Sequence, residues 1–224
     1  MSDGIEVVRH PRARRAKLSV DPITGRVRLT LPKRASLSSA LAWANEQQEW
    51  VARQRARLAE TQPFAPGEAI PFGDVTLTID WDEARARTPR RDGDRLLCGG
   101  PREGLETRIE RWLRREALRV LSEETAEIAE RAGVKVTRVS VADPKARWGS
   151  CASSGAIRYS WRLILAPDFV RRATVAHEVA HRVHMNHSPA FHAVAAELYG
   201  GDPGSARAWL RANGASLHRI GRYS

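Results

Sequence analysis

The chain has 224 residues, 42% of them hydrophobic and 28% charged, with a formal net charge of +11 at pH 7. These proportions belong to a globular chain long enough to bury a core, and they exclude a disordered or low-complexity protein. Two cysteines, Cys98 and Cys151, are too few for a disulfide scaffold and point to a reduced, cytoplasmic setting. No apolar run reaches the roughly 18 residues of a membrane span, and the first ten residues do not read as a signal peptide.

The first hundred residues read as strand-rich with one helix. Short runs at 5–8, 16–20 and 26–31 carry period-two or β-branched character between Pro and Gly signals. A helix is predicted over 37–60, with Ser36 as its N-cap, ending before Pro63 and Pro66-Gly67. Val75 to Trp81 alternates as a half-buried strand, and Asp92-Gly93-Asp94 turns the chain into a strand at 95–98. Pro101 to Gly104 is the expected boundary, dividing residues 1–100 from 101–224. Beyond it, Leu105, Ile109, Trp112, Leu113, Val120, Leu121 and Ile128 form the apolar face of a long helix running to about Arg131. Gly133 ends that helix, and 134–141 follows as a strand. The run 157–161 reads either as an edge strand that could bind substrate or as an ordinary paired strand with Trp161 in the core.

Residues 177–192 read His-Glu-Val-Ala-His-Arg-Val-His-Met-Asn-His-Ser-Pro-Ala-Phe-His. On a helix predicted over 168–185, His177 and His181 lie one turn apart, so two imidazoles can converge on one Zn²⁺. Glu178 sits beside the first of them, where a general base for the attacking water belongs. Val170, Thr174, His177, His181 and His184 share one stripe, while Phe169, Ala173, Ala176, Ala180 and Val183 form a second, apolar one. Asn186 is expected to end the helix in the left-handed region, and Ser188-Pro189 to open the next. A turn at His187 would let it serve as the third ligand. His184 and Glu197 are the alternatives, His184 otherwise standing behind the metal or on the substrate side. His10, His192 and His218 are expected at the surface. Arg147 and Tyr159 are candidates for stabilising an oxyanion or contacting substrate.

The segments Arg147-Trp148-Gly149-Ser150-Cys151, Ile157 through Pro167, and the histidine block ending His187-Ser188-Pro189-Ala190-Phe191 resemble the YgjP-like metallopeptidases, relatives of the SprT-like zinc proteases. The likeness extends over most of the chain, including Gly67 to Gly73 and Ala208-Trp209-Leu210. It implies a zinc-dependent hydrolase acting on a peptide or protein, with His177, His181 and His187 as ligands and Glu178 as catalytic base. The fold class expected is α+β: a zincin-like catalytic half, with the histidine helix packed on the long helix and a short sheet, preceded by the strand-rich half. Two other functions fit the same residues. One is a nucleic-acid-associated protein with a structural zinc site, which the Arg-rich surface would serve. The other is a zinc amidase acting on a non-peptide amide. No membrane partner is expected.

Overall fold

The computed structural model describes residues 4–56, 58 and 61–222, and the chain parts into two compact units between Glu60 and Thr61. In the first unit, β1 (Ile5–Arg9), β2 (Lys17–Val20) and β3 (Val27–Leu31) form a sheet of order β1-β3-β2. β3 pairs parallel to β1 and antiparallel to β2. Alternation along β3 buries Val27, Leu29 and Leu31 and leaves Arg28 outside, the pattern of a sheet covered on one face. α1 (Leu37–Glu46) sets Ala40 and Ala44, one turn apart, against that face. Ser36 caps it as expected, its Oγ accepting the Ser39 N–H at 3.3 Å.

The single helix predicted over 37–60 is two. The Gln47 N–H bonds the Ala44 carbonyl at 3.1 Å, a tight i→i−3 closure, and α2 (Gln48–Ala56) begins anew. α2 buries no residue, so no packed stripe holds the two helices to one axis. Residues 57, 59 and 60 of the predicted span lie outside the described ones.

The second unit holds two sheets. β4 (Ala69–Phe72), β5 (Val75–Trp81), β6 (Arg90–Asp92) and β7 (Arg95–Cys98) are ordered β4-β5-β7-β6. Gly93, at φ 61, turns β6 into β7. β4 and β6 lacked a sequence signal because one contains Pro71 and the other is three exposed polar residues. α3 (Leu105–Arg131) buries Leu105, Ile109, Trp112, Leu113, Leu121 and Ile128. Gly133, at φ 63, ends it, its N–H reaching Glu130 while Val134 reaches Ala129. The boundary expected at Pro101 to Gly104 falls inside this unit, since Ile70, Leu77, Leu96 and Cys98 share one buried cluster with Leu105 and Ile109.

β8 (Arg138–Ala142), β9 (Gly149–Cys151) and β10 (Ala156–Ser160) form the other sheet, ordered β8-β10-β9. β10 runs parallel to β8 and antiparallel to β9. Of the two readings of 157–161, the paired strand with Trp161 in the core is the one observed: β10 is central, paired on both sides, and Trp161 begins a fully buried 3-10 turn, Trp161–Leu165. Three helices complete the unit: α4 (Asp168–Ala180), α5 (Pro189–Tyr199) and α6 (Gly204–Leu217). The fold is α+β, and among the described residues no helix is long and apolar enough to cross a membrane.

α4 is locked to α3 by a buried ion pair. The Arg171 guanidinium donates to Glu124 through Nη2 at 2.9 Å and through Nε at 3.1 Å. Removing one member of such a pair strands the other charge. Arg171→Ala is expected to lower the unfolding free energy by about 3–5 kcal/mol in urea titration, whereas replacing Arg171 and Glu124 together by apolar residues recovers most of it. A loss under about 1 kcal/mol for the single change would mean the pair is effectively solvated.

Candidate metal centre

α4 is amphipathic: Val170, Ala173, Ala176 and Ala180 are buried, while Phe169 and Val183 of the expected apolar stripe are exposed. The helix ends at Ala180, five residues short of the expectation. Arg182 bonds back to Val179 at 2.8 Å and Val183 to Ala180 at 3.0 Å, both i→i−3, so the last turn tightens. With Val183 and Met185 in solvent, nothing apolar draws the helix onward. Asn186 does not adopt positive φ, since among the described residues only glycines do. Instead its Oδ1 accepts the Ser188 N–H at 3.3 Å, and Ser188 Oγ in turn caps α5 through Phe191 N–H.

This reversal brings His187 back to α4. The ligand atoms of His177, His181 and His187 lie within 4.8 Å of one another, with the Nε2 atoms of His177 and His187 at 3.2 Å. Two nitrogens on one tetrahedral ion, each at about 2.0–2.1 Å, stand roughly 3.3 Å apart. The donor set therefore fits a divalent metal ion of the kind imidazoles bind. His181 Nδ1 faces the His184 carbonyl at 3.1 Å. A carbonyl only accepts, so that nitrogen carries the hydrogen and Nε2 keeps its lone pair. Burial pushes His177 down to about 4 and lowers His181 as well; both rings are neutral at pH 7. Phe191, fully buried, packs against all three rings at centroid distances of 4.4–4.9 Å. Among the described residues no fourth side chain joins the group.

Glu178 points the other way from the apolar stripe and is only 5% exposed. Burial raises its carboxyl to about 7, against the opposing pull of the Arg147 charge. It packs against Gly149 of β9, where a Cβ would stand 2.6 Å from Glu178 Cγ and overlap the carboxylate. Only glycine leaves that room.

A cavity of about 250 Å³ opens beside His177 and Glu178, walled by Trp148, Arg147, Arg207 and Leu210 among others. Arg147 is among its lining residues. Tyr159 is not: it is fully buried and its hydroxyl pairs with Thr125 Oγ1 at 3.0 Å, away from the cavity lining. That hydroxyl is spent on the core, which corrects its expected contact with an oxyanion or substrate. His184 contributes its carbonyl rather than its ring. Glu197 is exposed and outside the group, and Cys151 is a half-buried free thiol outside it too. His192 is exposed as expected but lines the cavity. Arg207 had no sequence signal, since it belongs to no spacing pattern; Phe191, closing the His187-to-Phe191 segment, and Gly149, inside the Trp-Gly-Ser-Cys segment, could have been found.

His218, expected at the surface, is 3% exposed. It stacks on Trp148 at 5.1 Å and lies 3.8 Å from Asp143, whose carboxylate is bound by buried Arg162. Burial foremost, then the Arg162 charge, pushes His218 down to about 4. The unfolded chain therefore binds the extra proton first as pH falls below about 6.5. Stability from neutral His218 is complete above that pH and declines towards pH 4, by up to roughly 3 kcal/mol. Denaturant melts across that window are expected to show the decline, and His218→Gln to flatten it.

No curated protein and no solved structure matches the chain. The sequence model of one family, described as YgjP-like, metallopeptidase domain, matches residues 14–213 of the 224. With three imidazoles gathered where they could hold a metal ion, and a match across both units, the chain belongs to the YgjP-like metallopeptidase family.

Proposed function

We propose that this protein is a zinc-dependent peptidase in which His177, His181 and His187 hold the ion and Glu178 is the general base. The observation that carries the reading is the buried Glu178 carboxyl, raised to about 7 and lining the same cavity as His177. A carboxyl with that pKa can both take and return a proton at neutral pH. Zinc, when bound, supplies Lewis-acid polarisation of water and of the scissile carbonyl.

The chain's own groups do the rest. As the water oxygen bonds to the carbonyl carbon, Glu178 takes the proton. It then delivers that proton to the departing nitrogen as the C–N bond breaks. The His184 carbonyl holds His181 in the tautomer that leaves Nε2 free, and Phe191 closes the floor against solvent. β9, an edge strand of its sheet next to Glu178, suits an extended substrate that adds to it by backbone hydrogen bonds. The open three-ligand shell favours catalysis over a structural zinc, which takes a closed set of four.

Glu178→Gln is expected to keep one zinc per chain and to lower kcat/KM on unfolded protein by about 10²–10⁴-fold, whereas His181→Ala loses the metal. Metal analysis and cleavage assays with a chelator control measure both, and equal activity in Glu178→Gln and wild type would overturn the reading. Gly149→Ala displaces the carboxylate and is expected to cost about 100-fold in kcat with zinc retained. Undiminished turnover would show that Glu178 does not depend on that close approach.

A further inference from the structure

The cavity beside Glu178 has a composition that the hydrolytic chemistry does not require. Its walls are largely apolar, from Trp148, Ala173, Pro203, Ala206 and Leu210, yet its polar lining carries two guanidinium groups. Arg147 comes from the loop entering β9 and Arg207 from α6. Both are exposed. The charge of Arg147 is felt at Glu178 and that of Arg207 at His177, so both stand close to the reacting groups.

Several other arginines of this unit are engaged by carboxylates. Arg85 pairs with Asp80, Arg114 with Glu110, Arg119 with Glu116 and Glu123, Arg162 with Asp143, and Arg171 with Glu124. Arg147 and Arg207 make no hydrogen bond or ion pair to any described residue. The one acidic group in the lining is Glu178, already packed against Gly149. Two unneutralised cations over apolar walls form a receptor for an anion carried on a short hydrocarbon stem.

We propose that this cavity receives a carboxylate-bearing residue of the substrate adjoining the scissile bond, gripped by Arg147 and Arg207. The proposal rests on the peptidase reading above and gives it a substrate class. A guanidinium fork matches a carboxylate with two parallel hydrogen bonds, while Trp148 and Leu210 cover the methylenes. A lysine or arginine in the same place would meet like charge and be rejected. The carboxylate can come from an aspartate or glutamate side chain or from a peptide's C-terminal end.

The test uses matched fluorogenic peptides on one scaffold, with Glu, Gln or Lys on either side of the cleaved bond. The Gln peptide is also made with a free acid or an amide one residue beyond that bond. Zinc-loaded full-length protein is assayed for kcat/KM, and the same peptides are titrated against metal-free protein by fluorescence anisotropy. Glu is expected to exceed Gln by about tenfold or more, with Lys below Gln. Arg147→Gln and Arg207→Gln should each bring the Glu-to-Gln ratio towards one, and Arg207→Glu should favour Lys. A gain confined to the free-acid peptide assigns the carboxylate to the chain terminus and upholds the proposal. Equal Glu178-dependent cleavage of acidic, neutral and amidated peptides overturns it and leaves the peptidase intact. If no peptide is cleaved, the peptidase reading falls and the anisotropy titrations decide: tighter Glu than Gln, lost in Arg207→Gln, keeps the carboxylate receptor, and equal binding removes it.

Discussion

Three imidazole nitrogens within 4.8 Å of one another require a chain that turns back after barely one helical turn. His177 comes from α4, His181 caps its C-terminal end and His187 lies beyond it. A helix continued to Met185 would carry His187 away along the axis. The tightened i→i−3 closures at Arg182 and Val183, the Asn186-to-Ser188 bond and the capped start of α5 are therefore one device. Each is a modest hydrogen bond worth about 1 kcal/mol. Together they fix the reversal, and Phe191, first-turn residue of α5, fills the space beneath the rings. The second support is electrostatic: Arg171 and Glu124 bind α4 to α3, holding the ligand-bearing helix from behind.

Much of this was legible in the sequence because it is local. His177, Glu178 and His181 are placed by helical spacing alone, and Ser188-Pro189 names its own cap. α3 was readable along all its length because its apolar face repeats for seven turns and ends in Gly133. What failed is what depends on partners distant in sequence. The helix over 37–60 lacks a buried stripe in its second half, and propensity gave no hint of the break at Gln47. The choice between an edge and a paired strand at 157–161 stayed open until the order β8-β10-β9 put it in the middle, because period-two patterning reports burial and not neighbours. Tyr159 looked available for chemistry because a single residue's burial cannot be read from its type. Pro101 to Gly104 looked like a boundary by composition, but the core runs through it.

Part of the positive charge is neutralised within the fold. Within the Arg-rich surface, Arg114 and Arg119 on α3 face Glu110, Glu116 and Glu123, spaced as helical ion pairs. Arg85 meets Asp80. Net charge therefore overstates how much of it is free to meet a partner, and what distinguishes Arg147 and Arg207 is their place in the cavity lining beside Glu178.

The wall opposite Glu178 is assembled from distant chain segments. Arg162, buried, binds the Leu217 and Ile220 carbonyls at 2.7 and 2.8 Å and so holds the end of α6 in place. That helix presents Gly214 to the Trp148 indole, where an added Cβ would lie 2.8 Å from Cζ2. Positions 148 and 214 thus divide a single fixed volume between them. A homologue that places a bulkier residue at one must shrink the other, so the width of the cleft should drift through compensated exchanges at these two sites while the histidines stay unchanged.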